Sequence, residues 1–380
     1  MWQRLRVSVL VLAGAALLVA CGGGEPIPTS FPGLTVIGRE GYLVSNLHVY
    51  KFDAREGREI WRFPSAKGND QPRGPFAGQP VVIGDLVIVG GSITLNGAPD
   101  PHLYAISASD GSERWRFLPA PGAKEFADGV ATDGKLIFAP NGDHTLYAID
   151  PTAEDDQPRI IWTFTAQNKL WAKPVVADGR VYLPSLDHFL YALDAATGRE
   201  VWRFNAGASI ASTPTLADGV LYFGSFAQKL FAVRAEDGSA IWESPLDAWI
   251  WCQPLVREEE VIVGDVKGKL YALDRRSGMR RWTAQVGGPI RAQPVAVADK
   301  LYIVSFDTYL YEIDLAVAAN EGRRPVRRVL ENGLNRRLLS DPMLVEDALL
   351  VPLFDGDVKL IAVDLRSGQK RFEFPPRTQP

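Results

Sequence analysis

The sequence predicts an all-β protein, an eight-bladed β-propeller whose blades are four-stranded antiparallel sheets. Three observations lead to this prediction. A unit of about 40 residues recurs along the chain, each copy contains four short strand patterns, and no stretch shows sustained helical periodicity. One isolated sheet leaves both faces exposed, whereas a closed ring of sheets lets each copy cover its neighbours. A closed ring is therefore favoured over an open solenoid.

A column of aromatic residues marks the repeat most clearly. The column consists of Trp61, Trp115, Trp162, Trp202, Trp242, Trp282 and Phe372, and the seventh copy lacks an aromatic residue there. The four tryptophans from Trp162 to Trp282 are 40 residues apart. The eight copies are predicted at residues 34–66, 78–118, 127–165, 171–206, 210–245, 250–286, 290–330 and 340–374.

Turn residues separate the four strands of each copy. In the fourth copy, strands are predicted at residues 173–176, 180–184, 189–194 and 200–204. Between them lie Asp178-Gly179, Asp187-His188 and Thr197-Gly198. Pairs of this kind are typical of hairpin turns, so we interpret them as structural and not as catalytic.

The composition is that of an ordinary globular protein. Of 380 residues, 46% are apolar and 23% are charged, which excludes a disordered chain. The formal net charge of −4 argues against a nucleic-acid binder. Cys21 and Cys252 are too few for a disulfide framework, so stability is expected to come from burial of apolar side chains.

The N-terminal residues are predicted to direct export and anchoring. Residues 1–20 combine a positive start with an apolar stretch at 7–18 that is too short to span a bilayer, as in a signal peptide. Leu18-Val19-Ala20-Cys21 resembles a bacterial lipobox, which implies a diacylglycerol on Cys21 and an acyl group such as palmitate on the new N-terminus. An ordinary signal peptide or an uncleaved anchor is the alternative.

The predicted domain organisation follows from this anchor. Residues 21–33, rich in Gly and Pro, are expected to form a flexible tether, and residues 34–380 form the propeller. The protein is therefore expected outside the cytoplasm, held on a bacterial membrane and facing the periplasm or the cell surface.

The repeat consensus is D-G-x-[VL]-[YI]-x-[GP]-S followed by [LF]-[YF]-A-[LIV]-[DR]-x-x-[TSD]-G-x-x-x-W. This pattern resembles the PQQ-like repeat family and covers nearly the whole chain after residue 33. With the lipobox, the architecture is similar to that of scaffold lipoproteins of the outer-membrane β-barrel assembly machinery. The resemblance implies a protein-binding scaffold, a monomer, whose partners are envelope proteins or peptides.

Two other functions remain open. Some relatives with this repeat are PQQ-dependent oxidoreductases, which use a vicinal disulfide, a Ca²⁺ ion and a catalytic Asp. This chain has no adjacent Cys pair and no recognisable catalytic motif, so no catalytic residue, PQQ or Ca²⁺ is expected. A sensor or carbohydrate-binding propeller is the other alternative.

The four histidines do not predict a metal site. They are His48, His102, His144 and His188. The last three fall at or near the second hairpin of successive copies, and we interpret them as turn residues too far apart to share a metal ion.

A binding site is predicted at the mouth of the central channel, where the inner strands begin. The residues before a recurring Pro, which is Gly129 in the third copy, are Gln79, Asp128, Lys173, Thr213, Gln253, Gln293 and Asp341, and two positions before the residues of this column lie Trp171, Trp251 and Arg291. Such a polar and aromatic collar suits a ligand or peptide. The alternative is that these side chains pack on each other and face channel water. Cys252 lies in the small-residue column between them and is expected to be buried.

Insertions break the repeat at residues 92–101, 152–158 and 316–328, and variable loops often carry binding specificity. The third insertion and the connection after it contain Arg323, Arg324, Arg327, Arg328, Arg336 and Arg337. These arginines are candidates for contact with an acidic partner or anionic lipid, or form a solvated surface. The last two are expected on the opposite face from the first four.

Overall fold

The computed structural model describes residues 31–65, 74–95, 98–119, 123–126, 128–152, 158–317, 319–330, 333–334, 336–354 and 356–376. The predicted signal peptide, Cys21 and the predicted tether up to residue 30 lie outside these ranges, as do residues 153–157 of the second insertion. Within the described ranges no helix is long and apolar enough to cross a membrane.

The described chain forms eight four-stranded antiparallel sheets, which confirms the predicted eight-bladed propeller. Blade 1 contains β1 (Gly33–Ile37), β2 (Glu40–Ser45), β3 (His48–Asp53) and β4 (Arg58–Phe63), and blade 2 contains β5 (Ala77–Ile83), β6 (Leu86–Leu95), β7 (Ala98–Ser107) and β8 (Glu113–Phe117). Blade 3 contains β9 (Ala131–Thr132), β10 (Ile137–Pro140), β11 (Thr145–Asp150) and β12 (Arg159–Thr165), and blade 4 contains β13 (Val175–Ala177), β14 (Arg180–Pro184), β15 (Phe189–Asp194) and β16 (Glu200–Asn205).

Blade 5 contains β17 (Thr215–Ala217), β18 (Val220–Ser225), β19 (Lys229–Arg234) and β20 (Ala240–Pro245), and blade 6 contains β21 (Leu255–Arg257), β22 (Glu260–Gly264), β23 (Lys269–Asp274) and β24 (Arg280–Gln285). Blade 7 contains β25 (Val295–Val297), β26 (Lys300–Val304), β27 (Leu310–Asp314) and β28 (Arg327–Arg328), and blade 8 contains β29 (Met343–Val345), β30 (Ala348–Pro352), β31 (Leu360–Asp364) and β32 (Lys370–Phe374). In every blade the four strands follow each other in space as they do in the chain.

The apolar core lies between blades and not within them. Alternation along each strand sends side chains to both faces of a sheet, and both faces are covered by neighbouring blades. Thus Tyr182 and Leu190 of blade 4 belong to one buried cluster with Phe223 and Phe231 of blade 5. Each blade is stable only in the presence of the next, which explains why the units close into a ring.

The ring closes without exchange of a strand between the first and last blades. Phe374 of blade 8 stacks on Phe52 of blade 1, with ring centroids 4.7 Å apart, and meets Tyr50 edge-on at 5.3 Å. Ser340 Oγ donates a hydrogen bond of 2.5 Å to the carbonyl oxygen of Pro32, 308 residues away in the chain. Packing and hydrogen bonds therefore join the two ends of the repeat.

Two of the predicted insertions have defined structures. Residues 92–95 and 98–101 of the first insertion extend β6 and β7, and Leu95 pairs with Ala98. The blade 7 insertion leaves its own sheet and runs beside β24 of blade 6. There Thr283 N donates to Gly322 O and Arg324 N donates to Thr283 O, each at 2.8 Å. As a consequence β28 is only two residues long.

Candidate functional site

The structure brings the predicted channel-mouth residues together at one end of the channel. Eight of the ten line a small cavity of about 50 Å³, namely Gln79, Asp128, Lys173, Thr213, Trp251, Gln253, Arg291 and Asp341. The other two lie beside it. Trp171 packs with Phe31 and Leu339, and Gln293 N donates to Asp341 Oδ1 at 2.7 Å. Their binding role stays a prediction.

The chain's own N-terminal segment packs against this mouth. Phe31 is 2% exposed, and the Arg291 guanidinium lies 3.5 Å from the centroid of its ring. Pro32 and Gly33 also line the cavity. The prediction that the flexible tether extends to residue 33 is therefore wrong at its end, because Phe31 gains a buried contact with the channel residues that the sequence pattern did not indicate.

Four charged side chains compensate each other in the mouth. Arg291 Nη2 lies 3.2 Å from Asp128 Oδ1, and Arg291 Nη1 donates to Leu339 O at 3.0 Å. Lys173 Nζ donates to Gln79 Oε1 at 2.5 Å, and the charges of Asp341 and Asp128 favour its protonated form. Two cations thus face two carboxylates. Charged side chains that the protein shields from water need an opposite charge nearby, because an unpaired buried charge is strongly destabilising.

Burial shifts the proton affinities of these groups. It lowers the pKa of Lys173, and the neighbouring carboxylates offset only part of that effect. It raises the pKa of Asp341, against the hydrogen bond from Gln293 N. Asp341 itself is exposed to solvent in the channel, so this shift reflects the protein packed around the channel and not a loss of all contact with water.

Three buried donors at the mouth lack a partner among the described residues: Trp171 Nε1, Trp251 Nε1 and Arg291 Nε. A polar cavity of this volume suits a few water molecules. It is well below the roughly 300–1,000 Å³ of sites for drug-sized ligands.

The mouth does not fit pyrroloquinoline quinone. The cavity is small, and Cys252 is flanked in the chain by Trp251 and Gln253, so it has no adjacent cysteine with which to form the disulfide that covers the cofactor in the quinoprotein enzymes. In the described part of the chain, no three His, Cys, Asp or Glu side chains are grouped to hold a metal ion.

Cys252 is fully buried, as predicted from its small-residue column. Its Sγ donates to the carbonyl oxygen of Ala292 at 3.1 Å. Burial raises the pKa of the thiol to about 12, which keeps it protonated and unreactive near neutral pH.

Two of the four histidines, His144 and His188, occupy turns, whereas His48 begins β3 and His102 lies within β7, so the interpretation of His102 as a turn residue is wrong. His144 and His188 have φ angles of 76° and 82°, in the left-handed region that these hairpins require, and His102 Nδ1 lies 3.0 Å from Asp100 O. His48 stacks at 5.5 Å from Tyr50. These local contacts explain their positions in the sequence.

The arginine-rich insertion is organised differently from the prediction. Arg324 folds inward, where Nη1 donates to Leu315 O at 3.0 Å and the guanidinium lies 5.0 Å from the Trp282 ring. Arg327 Nη2 donates to Glu312 Oε1 at 2.9 Å, and Arg328 stacks on Tyr309 at 3.8 Å. These three side chains make contacts within the molecule, and Arg327 and Arg328 remain exposed beside those contacts.

The expected separation of the arginines between two faces is wrong for three of them. Arg327, Arg328 and Arg336 line one groove of about 1,100 Å³ at the outside of the ring, between blades 7 and 8. They meet there because β28 is short and the chain turns back beside it toward blade 8. The missing aromatic in the seventh copy was a sequence signal that could have located this groove.

The closed ring of eight sheets, with its repeated aromatic column, defines a PQQ-like repeat propeller. A family model described as outer membrane protein assembly factor BamB matches residues 45–152, 99–250 and 249–378, and the chain belongs to this family.

A curated relative gives a partial match. Over 143 residues the chain is 25% identical to the outer membrane protein assembly factor BamB of Burkholderia pseudomallei (strain K96243), which covers 38% of this chain and 32% of the relative. The matched region thus spans about a third of that relative's length.

Solved structures share the fold. BamB from Moraxella catarrhalis superposes with a TM-score of 0.67 at 17% identity, over 87% of this chain and 92% of that chain. A quinohemoprotein alcohol dehydrogenase from Comamonas testosteroni superposes with a TM-score of 0.59 at 14% identity, over 75% of this chain and 64% of that chain. The fold therefore occurs in both assembly factors and enzymes, and function has to be argued from this chain's own surfaces.

Proposed function

We propose that this protein is a membrane-anchored, extracytoplasmic propeller that acts as a non-catalytic scaffold for envelope proteins in outer-membrane protein assembly. The family match across residues 45–378 carries the proposal, because the family description names an assembly factor. The ring closes within one chain, so the scaffold is proposed to act as a monomer.

The small volume of the cavity at the channel mouth favours a scaffold function over an enzymatic or sugar-binding function. A cavity of about 50 Å³ holds neither a quinone cofactor nor a sugar ring. Trp171 is 8% exposed and packs with Phe31, and Trp251 lies 5.2 Å from Arg291, so the two do not form an open platform for carbohydrate. Partners are therefore proposed to bind the outer surfaces of the ring.

The position of Phe31 also sets the orientation of the proposed scaffold. Nine residues lie between Cys21 and Phe31, and an extended chain covers at most about 3.5 Å per residue, roughly 30–35 Å in all. A lipid on Cys21 would therefore hold the face with the channel mouth toward the membrane, and the opposite face and the sides remain accessible to partners.

Replacement of the lipid-accepting cysteine tests this proposal. The variant Cys21→Ser should lose labelling by radioactive palmitate and move from the membrane to the soluble fraction, whereas Cys252→Ser should stay in the membrane as a matched control. Cross-linking in membranes should capture envelope assembly proteins with the wild type. The proposal fails if the wild-type chain is not membrane-bound, or if it captures no envelope protein while the purified protein with PQQ and Ca²⁺ reduces a dye.

A further inference from the structure

One contact between an aromatic ring and a glycine recurs at the outer part of five blade junctions. The aromatic residue of the fourth strand lies on a glycine in the last turn of the next blade. The pairs are Trp61 with Gly111, Trp162 with Gly198, Trp202 with Gly238, Trp242 with Gly278, and Phe372 with Gly57. A methyl group on any of these glycines would lie 2.4–2.8 Å from the ring, so the contact requires glycine.

The tryptophans also make a repeated hydrogen bond. The indole Nε1 donates to a carbonyl oxygen in the same turn of the next blade, as Trp202 does to Ala235 at 3.1 Å and Trp242 does to Arg275 at 3.0 Å. In the blades that share this contact, the last turn is therefore a built receptor for an aromatic ring, with a flat glycine floor and, for the tryptophans, a hydrogen-bond acceptor.

The junction between blades 7 and 8 has the receptor but not the ring. In blade 4 Ala192 pairs with Trp202, whereas the corresponding pair in blade 7 is Glu312 with Arg327. The glycine of the receptor turn in blade 8 is Gly368, and the nearest atom to a methyl group placed there is Val329 O at 3.6 Å. The groove of about 1,100 Å³ lies at this position and includes Gly368 in its lining.

The lining of this groove is apolar in its floor and mainly positive at its rim. The apolar side chains are Val329, Leu330, Leu334, Leu353, Val358 and Ile361. The charged side chains are Arg327, Arg328, Arg336 and Lys370, with Asp357 and Glu373. Arg327 and Lys370 pair with Glu312 and Glu373, and among the described lining residues four cations face two carboxylates.

We propose that the groove between blades 7 and 8 binds an acidic segment of a partner protein, whose tryptophan or phenylalanine inserts over Gly368 where the other blades place their own aromatic residue. A buried aromatic anchor surrounded by polar contacts is the usual centre of a protein interface. The proposal rests on the scaffold function in that it names the chemistry of one partner.

We assign the aromatic residue to a partner protein. Outside the described ranges the sequence contains a single aromatic residue, Trp2, which lies in the predicted signal peptide. Residues 22–30 and 377–380 carry none. Complementary charge favours an acidic segment over a basic one, since the rim carries an excess of cations.

Fluorescence anisotropy with two labelled peptides tests the proposal. The first probe is fluorescein-Asp-Glu-Ser-Trp-Ser-Glu-Asp, and the second replaces its tryptophan with alanine. The purified full-length protein in detergent should bind the first saturably and the second at least about tenfold more weakly, which corresponds to about 1.4 kcal/mol. Added salt should weaken the binding of the first probe.

A variant that fills the groove from within provides the structural control. Glu312→Ala combined with Arg327→Trp restores the Ala–Trp pair of the other blades and should reduce binding of the tryptophan peptide at least about tenfold, with no loss of thermal stability. Arg203→Trp, which adds a tryptophan to the exposed side of blade 4, should bind the peptide as the wild type does.

Three outcomes would overturn the inference. They are absence of saturable binding at millimolar peptide, equal binding of the alanine peptide, and unchanged binding by the filled variant. Equal binding of the two peptides would indicate a merely basic surface. None of these outcomes affects the anchored scaffold itself, which is tested separately by Cys21→Ser and by cross-linking in membranes.

Discussion

The junction between blades 5 and 6 and the junction between blades 7 and 8 solve the same packing problem in different ways. In the first, Trp242 pairs with Ala232, is 8% exposed and lies on Gly278. In the second, the exposed Arg327 pairs with the buried Glu312, and Gly368 faces Val329 and the groove instead of an aromatic ring. One ring can therefore keep its inner core continuous while one outer junction becomes a surface for other molecules.

The junction between blades 6 and 7 is intermediate. Trp282 is present, but Arg324 from the blade 7 insertion takes the carbonyl of Leu315, the acceptor that the repeat would offer. Trp282 Nε1 donates to Glu260 Oε1 at 3.0 Å instead. The insertion thus covers one side of blade 7 and, by shortening β28, opens the other.

Loss of the aromatic ring should have the largest effect. Trp242→Ala removes a buried indole and its hydrogen bond, and should lower the free energy of unfolding by about 3–5 kcal/mol. Arg327→Ala at the same place in blade 7 should cost less than about 1 kcal/mol, because the arginine is mostly exposed and Lys300 still pairs with Glu312. Urea denaturation of both variants checks this; equal losses would remove the distinction between the junctions.

The glycine floor gives the next largest effect. Gly278→Ala and Gly368→Ala both place a side chain at positive φ, 70° and 68°, which costs about 1–2 kcal/mol in each case. Only Gly278→Ala also drives a methyl group to 2.7 Å from the Trp242 ring, which should add about 1–3 kcal/mol. The difference in melting temperature between the two variants measures the ring contact; no difference would mean that the aromatic can move away freely.

Filling the open junction should produce a smaller gain. The double variant Glu312→Ala with Arg327→Trp buries a new indole against Gly368, and should raise the free energy of unfolding by about 1–2 kcal/mol. Thermal unfolding of this variant beside the wild type is the measurement. A lower melting temperature would show that the groove cannot accept the ring that the repeat predicts.

The charged pair should give the smallest effect, visible in acid. Burial alone would raise the pKa of Glu312, but hydrogen bonds from Arg327 and Lys300 outweigh it and hold the pKa below its ordinary value of 4.5. The ion pair therefore stabilises the fold fully above the ordinary pKa of Glu312. Its contribution is lost as the pH falls through the lowered pKa that Glu312 has in the folded protein. The stability difference between wild type and Glu312→Gln, under about 1 kcal/mol near neutral pH, should shrink in acid.

A matched comparison isolates this charge effect. The stability difference between wild type and Trp242→Ala should not follow the same acid dependence, because that junction contains no titrating pair in its aromatic contact. A Glu312→Gln difference that persists below the lowered pKa would argue against the ion pair as its source.

The repeat, the number of blades and the strand positions could all be predicted from the amino-acid sequence. Strands predicted at 180–184 and 189–194 correspond to β14 and β15, because alternating apolar residues and Asp-Gly turns act locally. The aromatic column was also readable, since its spacing follows from one residue per identical unit. Even the missing aromatic of the seventh copy was visible, although its consequence was not.

Contacts between residues that are far apart in the sequence became visible only in the folded protein. Ring closure places Phe31 against Arg291 at the channel mouth, and it brings Arg336 and Arg327 into the lining of one groove. The pairing of the blade 7 insertion with Thr283 also depends on a neighbouring sheet. Local patterns carry no information on such contacts, because their energy arises only when the surfaces of separate blades are already in place.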